Sequence, residues 1–442
     1  KEIINNALRL LSNLTHRGAV SADPKAGDGV GILTQIPHQF FQKELSANNV
    51  ILPRPDDYAV GMFFFPRNDE EKTHCIEIVN KYFKKFGLKI LVQRKVPTND
   101  EVLGYSIKGK EPSIYQFFVS EIEKSQSINQ FESKLFLARR NMEIDLKSFD
   151  FYVVSLSPRT VTYKGMIMSD SLNEFYLDFN DDLFISSLAI VHQRFSTNTF
   201  PSWDLAQPFR TLAHNGEINT LKGNINWMKI HEQDMSSSLF KNVKDLKPVI
   251  RSTSDSGALD NVFELLVHSG KLAPLIKLMM IPDAWSKRSK TVPKNHQDLF
   301  NFLNSTIEPW DGPAAICATD AKWVLASSDR NGLRPLRYTI TSDNLFFAGS
   351  ESGMIKIPEE NIIEKGKLGP GQIIAIDLKK GKLFKDKELK DLLAKDYKKY
   401  NKQIIDLNKK ISSEDEKPNF LNEDLRKRQY LSGLSIEDLE LI

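Results

Sequence analysis

The sequence predicts an α+β protein with largely antiparallel sheets. Two observations support this fold class. In the middle of the chain, short β-rich segments alternate with stretches of helical periodicity. Nearer the start, apolar runs typical of strands flank an amphipathic helical pattern, forming a small βαβ-like segment. With 442 residues, the chain is long enough for one large domain or for two or three smaller ones.

The elements of the first half follow from apolar spacing. Ile3, Ala7 and Leu11 share one face of a helix that ends near His16, and a glycine-rich loop follows over 16–32. No capping residue precedes this helix, so we expect the chain to begin inside a helix, as a fragment of a longer protein. The predicted strands of this half are 32–36, 58–65, 88–96, 114–120 and 151–157, and its further predicted helices are 69–86 and 128–142.

The second half is predicted in the same way. Its strands are 188–192, 314–319, 323–327 and 345–348, and its helices are 256–280 and 296–305. The Lys-rich segment 386–411 keeps apolar residues at helical spacing, and the polar segment 412–422 is typical of a linker. We therefore expect a main domain over 1–385, an amphipathic helix and linker over 386–422, and the truncated start of a further domain over 423–442.

Composition limits the class of protein. The 60 Lys and Arg residues and 57 Asp and Glu residues give a net charge of +3, which indicates no strong field for nucleic acid or membrane. No apolar run is long enough to span a bilayer, and no signal segment opens the chain. Cys75 and Cys317 are too few for a disulfide framework, so we expect a reducing compartment such as the cytoplasm.

Several familiar kinds of site are disfavoured. The GDGVG segment at 27–31 lacks the Lys and Ser or Thr of a phosphate-binding loop, which favours glycines serving a backbone turn. The eight histidines show no metal-ligand spacing, so no metal site is expected within the chain. Cys75 and Cys317 lie in apolar patterns and are interpreted as buried core thiols rather than nucleophiles.

A polar stretch over 191–228 is the strongest functional signal. Its Asn215-Gly216 pair fits a type I′ hairpin turn, but an Asn amide beside a glycine N–H also has the composition of an oxyanion hole. In a second cluster, Asp255 precedes a predicted helix, where it is either an N-cap or a charged site residue. In a third, Asn331-Gly332 fits another hairpin turn.

Six segments taken together resemble a known family. They are HRGAVSADPKAGDGVGI, HQRFSTNTFPSWDLAQPFRTLAHNGEINTLKGN, RSTSDSGALDN, EPWDGPAA, DRNGLRPLRY and GSESG. In this order they closely resemble the glutaminase domain of the glutamate synthase large subunit. The resemblance implies a class II glutamine amidotransferase of the N-terminal-nucleophile type, which hydrolyses L-glutamine to glutamate and ammonia. It also implies a four-layer α/β/β/α sandwich of two antiparallel sheets between helices.

The resemblance carries roles onto individual positions. Asn215 and Gly216 match the oxyanion-hole pair of the family. Arg194 matches the arginine that holds the α-carboxylate of glutamine, and Thr197 lies in the same substrate loop. Asp255 matches the acid that pairs with the α-ammonium group. Two further residues, Arg17 and Gly18, match the loop that lines the nucleophile.

The resemblance also implies parts outside this chain. The family's nucleophile is an N-terminal Cys with its own α-amine as base, and we expect it upstream of Lys1 in an active parent protein. Later domains of the parent are implied to bind FMN and an iron-sulfur cluster and to add the ammonia reductively to 2-oxoglutarate. The electrons are implied to come from a small NADPH-oxidising subunit or from ferredoxin. Two alternative hypotheses for the function are an amidotransferase domain of another class II enzyme and a catalytically silent glutamine-binding or docking module.

Overall fold

A computed structural model describes residues 1–18, 23–47, 49–194, 200–237, 239–240, 243–252, 254–285, 291–395, 422–434 and 438. The chain divides into two compact units, Lys1–Lys398 and Lys399–Ile442. Across the described ranges, no helix combines the length and the apolar character needed to cross a membrane.

The larger unit contains the strands and all but one of the described α-helices. Its strands are β1 (Val30–Gln35), β2 (Ala59–Phe65), β3 (Leu88–Lys95), β4 (Ser113–Glu121), β5 (Tyr152–Ser157), β6 (Thr160–Gly165), β7 (Ala189–Gln193), β8 (Leu212–Gly216), β9 (Ala314–Thr319), β10 (Trp323–Ser328), β11 (Arg337–Thr341), β12 (Phe346–Gly349), β13 (Ile362–Lys367), β14 (Ile373–Asp377) and β15 (Lys382–Phe384).

The α-helices of this unit are α1 (Glu2–Asn13), α2 (His38–Ser46), α3 (Asp69–Lys85), α4 (Ile128–Asp145), α5 (Leu172–Phe175), α6 (Leu221–Asp234), α7 (Asp255–His268), α8 (Ala273–Met280), α9 (Lys294–Asn304) and α10 (Asp386–Ala394). The smaller unit contains α11 (Asn422–Leu431), whose described side chains are mostly exposed.

The sequence around Asn68 explains where α3 begins. At α3, the Asn68 side chain accepts hydrogen bonds from the backbone N–H groups of Glu70 and Glu71. This capping satisfies donors that have no partner within the helix, and the acidic first turn complements the helix dipole. The buried face of α3 carries Cys75 and Val79, which are spaced one helical turn apart.

Two antiparallel sheets stack at the centre of the larger unit. One has the strand order β6-β1-β7, and the other has the order β15-β14-β10-β9-β8. Leu33 and Ile190 of the first sheet share a core cluster with Ala213 of β8, against which Val324 of β10 also packs. Because side chains alternate along a strand, the opposite faces are left to the helices.

Helices cover the outer face of each sheet. On one side, Ile4 of α1 and Phe41 of α2 share a core cluster with Ile32 of β1. On the other side, residues of α7–α10 form a larger cluster with Leu325 and Ile373 of the five-stranded sheet. The order of layers is therefore α/β/β/α, which confirms the predicted sandwich.

Two smaller sheets extend this framework. Leu336 and Leu368, which lie next to the ends of β11 and β13 in the sheet β12-β11-β13, pack onto Ala315 and Ala326 of the five-stranded sheet. Residues 59–157 form a βαββαβ unit with the strand order β3-β4-β2-β5. The expected βαβ-like segment is thus present as β2-α3-β3, but β4 lies between the two strands and pairs antiparallel with both.

The structure corrects several local predictions. The helix predicted over 256–280 is two helices, α7 and α8, separated by a turn in which Gly270 has a φ of +89°. In the larger unit, six strands (β6, β8, β11 and β13–β15) and three helices (α2, α5 and α6) were not predicted, because their apolar runs are short or interrupted by polar residues. The predicted Lys-rich helix begins at Asp386 and is described as far as Ala394, and residues 396–421 lie outside the described part.

A buried ionic cluster joins the βαββαβ unit to the helical layer. Glu143 of α4 accepts hydrogen bonds from Arg139 at 2.7 Å and from Arg210 at 2.8 Å. Arg139 also donates to Glu264 of α7 at 2.6 Å. Burial alone raises the pKa of a carboxyl group, but the surrounding arginines lower the pKa of Glu143 to about 2. The carboxylate is therefore charged at neutral pH and helps to hold the βαββαβ unit against the helical layer.

Candidate active site

A cavity of about 1300 Å³ opens between the layers of the sandwich. One part is apolar and includes Leu188 just before β7, Ile190 of β7 and Phe346 of β12. The other part is polar and includes Arg194, Asn215 and Asp255, which come from three separate segments of the chain. An apolar cleft with a few converging polar groups is the usual form of a small-molecule site.

Asn215 and Gly216 form the last two residues of β8. They pair with Ala315 and Ala314 of β9, which lies about one hundred residues further along the chain. The hairpin-turn interpretation of this Asn-Gly pair is therefore wrong. Within the described residues, the Asn215 side chain makes no hydrogen bond, so its amide donor is available at the cavity wall.

Close backbone packing explains the glycine at 216. Its φ is +139°, and a Cβ at this position would lie 1.7 Å from the carbonyl oxygen of Pro313. That same oxygen accepts a hydrogen bond from the N–H of Glu217 at 3.0 Å. A side chain at residue 216 would therefore push β8 away from the start of β9.

Asp255 is the first residue of α7, but it is not the helix cap. The cap is Ser254, whose Oγ accepts a hydrogen bond from the N–H of Gly257 at 3.1 Å. The Asp255 Oδ1 atom accepts from the N–H of Ser256 at 2.7 Å, and its Oδ2 atom accepts from the N–H of Ile218 at 2.9 Å. The Ser256 hydroxyl also donates to Oδ1 at 3.1 Å, so the carboxylate is fixed at the cavity, where its negative charge suits a cationic ligand.

Arg194 follows the last residue of β7 and is 7% exposed. Its backbone N–H donates to the carbonyl of Gly29 at 2.8 Å, which ties it to the glycine-rich loop. Burial lowers the pKa of the guanidinium, and the carboxylates of Asp28, Asp204 and Asp255 oppose that shift. Thr197, the other residue expected in this loop, lies outside the described residues.

Arg17 and Gly18 lie beside the cavity next to an acidic partner that was not predicted. Arg17 donates through Nε and Nη2 to Oε2 of Glu351, at 2.9 and 2.7 Å. His16 lies 2.9 Å from the other carboxylate oxygen of Glu351. A Cβ at Gly18 would collide with the side chain of Gln193, so the loop packs closely on the end of β7. Glu351 lies in the GSESG segment, where nothing in the sequence alone marks it as a partner of Arg17.

The two cysteines differ in their surroundings. Cys75 is fully buried in α3, as expected. Cys317 is only partly buried and lines the cavity, which corrects the expectation of a core thiol. Burial raises the pKa of each thiol to about 11. Across the part of the chain that the structure describes, no cluster of three His, Cys, Asp or Glu residues is arranged to hold a metal ion.

Sequence reasoning also missed the residues that support the site. Gln207 accepts a hydrogen bond from the N–H of His214 at 2.9 Å and donates to Ser256 Oγ at 3.3 Å, so it connects β8 to the start of α7. The predicted Asn331-Gly332 hairpin is instead a loop between two different sheets. There, Asp329 accepts from the N–H of Asn331 at 2.9 Å and from the N–H of Ala314 at 3.1 Å. A single sequence gives little signal for such long-range partners.

The arrangement brings two opposite charges and an amide donor into one cavity. Arg194 and Asp255 offer opposite charges in one cavity, and Asn215 adds an uncommitted amide donor. Comparison with protein-family models matches residues 1–402 to the class-II glutamine amidotransferases. The chain belongs to this family.

Several glutamate synthases are similar in sequence to this chain. The chain is 47% identical over its whole length to the glutamate synthase (NADPH) large chain of Azospirillum brasilense, of which it covers 30%. It is 38% identical over 99% of its length to the corresponding large chain of Bacillus subtilis, covering 29% of that protein. It is also 38% identical over its whole length to the ferredoxin-dependent glutamate synthase 2 of Synechocystis, covering 28%. The chain thus spans less than a third of the length of these relatives.

Among solved structures, a glutamine phosphoribosylpyrophosphate amidotransferase of B. subtilis is similar over 74% of this chain and 49% of its own, with 15% identity and a TM-score of 0.30.

Proposed function

We propose that this chain is the glutaminase domain of a glutamate synthase large subunit, where it converts L-glutamine and water into glutamate and ammonia. One observation carries the proposal: the Asn215-Gly216 corner, Arg194 and Asp255 line a single cavity. An amino-acid head group needs an anionic and a cationic partner, and the amide end of the substrate needs donors for a developing oxyanion.

The charges fit a division of labour. The guanidinium of Arg194 binds the α-carboxylate of glutamine, because its planar fork matches a carboxylate. The carboxylate of Asp255, held in place by the start of its helix and by Ile218, binds the α-ammonium group through its negative charge. Thr197 belongs to the same substrate loop in this proposal. Arg17 and Gly18 line the side of the site at which the nucleophile acts, with Arg17 held by Glu351.

The nucleophile in this proposal is an N-terminal Cys on a segment that precedes Lys1. Among the described strands, β7 pairs only with β1 and β12 pairs only with β11, and both border the cavity. An extended segment between these two edges would bring a Cys to the polar part of the cavity. An α-amine has a pKa near 7.7–8.0 and therefore serves as a base at neutral pH.

The steps follow from these roles. The amine takes the thiol proton, and the sulfur attacks the amide carbon of glutamine. The Asn215 amide and the Gly216 N–H hold the oxyanion of the tetrahedral intermediate. The C–N bond then breaks, and ammonia leaves with the proton that the amine held. Water hydrolyses the glutamyl thioester, which releases glutamate and restores the thiol.

Cys317 is unsuited to this role although it lines the cavity. Burial raises the pKa of its thiol to about 11, so only a very small fraction is thiolate at pH 7. Cys75 has a similarly raised pKa and is enclosed in the core of the βαββαβ unit. The described residues thus offer no activated thiol of their own.

In the parent protein, we propose that later domains add the released ammonia to 2-oxoglutarate with two electrons. FMN and an iron-sulfur cluster belong to those domains in this proposal, and a small NADPH-oxidising subunit or ferredoxin supplies the electrons. Both kinds of electron donor appear in the names of the relatives. The free thiols of Cys75 and Cys317 support a cytoplasmic location.

Labelling tests the proposed nucleophile. The full-length parent and the 442-residue chain are each treated with an electrophilic glutamine analogue and assayed for ammonia release. We expect release only from the parent, and labelling at a Cys upstream of Lys1 with Cys75 and Cys317 unmodified. Ammonia release by the 442-residue chain, or inactivation that follows labelling of Cys317, would refute this mechanism.

A further inference from the structure

His214 is a buried histidine whose ring lies unused beside the site. It is the third residue of β8, and its side chain is 1% exposed. Within the described part of the chain, neither Nδ1 nor Nε2 makes a hydrogen bond. A neutral imidazole always carries one N–H, and a buried donor without an acceptor costs about 1–3 kcal/mol. Such a group is uncommon unless it has a functional role.

The nearest charged acceptor is the site carboxylate. His214 Nε2 lies 3.8 Å from Oδ2 of Asp255, less than 1 Å beyond an ordinary hydrogen bond. The backbone of His214 is fixed on both sides, because its N–H donates to Gln207 and its carbonyl lies 3.0 Å from His192 Nε2. The approach therefore requires only small side-chain movements.

We propose that His214 is a positioning residue for Asp255 that donates Nε2–H to Oδ2 when the ammonium group of glutamine binds. This inference rests on the proposed function and adds to it a residue that acts through Asp255 without touching the substrate. The N–H of Ile218 and both the N–H and the hydroxyl of Ser256 already donate to the carboxylate, and the further donor on Oδ2 fixes its rotation. A fixed rotation keeps the negative charge of the carboxylate facing the cavity, where the ammonium group binds.

The charge state of the ring agrees with this role. Burial lowers the pKa of His214, Asp255 raises it and Arg334 lowers it, with a net decrease. The ring is thus neutral at pH 7 and positions the carboxylate without cancelling its charge. His192 of β7, which contacts the carbonyl of His214, is also neutral because burial lowers its pKa to about 3.

Three substitutions of His214 distinguish the position of its hydrogen-bond donor from the volume of its side chain. The amide nitrogen of Gln reaches about as far as Nε2, that of Asn reaches about as far as Nδ1, and Phe fills the space without a donor. In the full-length protein, we expect His214→Gln to keep the KM for glutamine within about threefold of the wild type. His214→Asn and His214→Phe should raise this KM about tenfold while kcat changes less than threefold.

A second ligand tests whether the effect acts through the ammonium group. The probe is 4-carbamoylbutanoate, which is glutamine without its α-amino group. His214→Phe should weaken glutamine binding about tenfold but leave the affinity of this probe within twofold of the wild type. Thermal unfolding of each variant shows whether the substitution has disturbed the fold. The surface variant His231→Ala is a matched control that should leave the binding of both ligands unchanged.

The outcomes are distinguishable. Equal weakening of glutamine and the probe by His214→Phe would indicate a purely structural role and overturn the inference. Unchanged KM values in all three variants would overturn it as well. If the wild-type protein does not hydrolyse glutamine, or binds it no better than the probe, the proposed function itself fails.

Discussion

Replacement of Asn215 by Ala tests the oxyanion role directly. The substitution removes an amide that makes no hydrogen bond among the described residues, and β8 retains its backbone pairing with Ala315. The folded state therefore loses little, and we expect the free energy of unfolding to change by less than about 1 kcal/mol. The transition state loses one of its two oxyanion donors, which typically costs about 2.7–4 kcal/mol. Turnover should fall by roughly 10²–10³.

The assay is initial-rate ammonia release by the full-length protein over a range of glutamine concentrations. Because the donor acts on the transition state, kcat should fall while KM changes little. Asn301→Ala, on the exposed face of α9, is a matched control that should keep full activity. A kcat within a few-fold of the wild type would refute the oxyanion assignment and reduce Asn215 to a strand-end residue.

Three further predictions concern the groups around this corner. Arg194→Lys and Asp255→Asn should mainly raise the KM for glutamine, and ammonia-dependent glutamate formation by the parent should survive both, so its loss would indicate a structural role. Gly216→Ala should lower stability by about 2 kcal/mol or more and reduce turnover, because its Cβ would lie 1.7 Å from the oxygen of Pro313; normal unfolding in urea would contradict this. Glu143→Gln should destabilise the fold by about 3–5 kcal/mol at pH 7 by leaving buried arginines unpaired. Since the pKa of Glu143 falls from about 4.5 to about 2 on folding, its contribution is present above pH 4.5 and is lost as the pH falls toward 2, so the difference from wild type in denaturation should shrink over that range.

The sequence alone determined the elements whose signal is local. The bounds of α3, β2 and β9 were predicted within one residue, because amphipathic spacing and caps depend on near neighbours. The end of α1 was predicted about three residues too late. The α+β class and the four-layer sandwich, the latter through the resemblance, were predicted as well. The segments that carry Arg194 and Asn215 were singled out from their unusual density of polar residues.

Only the tertiary structure decided where those residues lie relative to one another. Asn215-Gly216 fits a turn by local preference, yet β8 pairs with a strand about one hundred residues away and places the pair at a cavity wall. Asp255 fits a helix cap, yet Ser254 caps the helix and leaves the carboxylate for the site. Likewise, Asp255 beside His214 and Arg210 beside Glu143 come from distant parts of the sequence. Such contacts depend on long-range chain packing, and short-range sequence preferences carry almost no information about it.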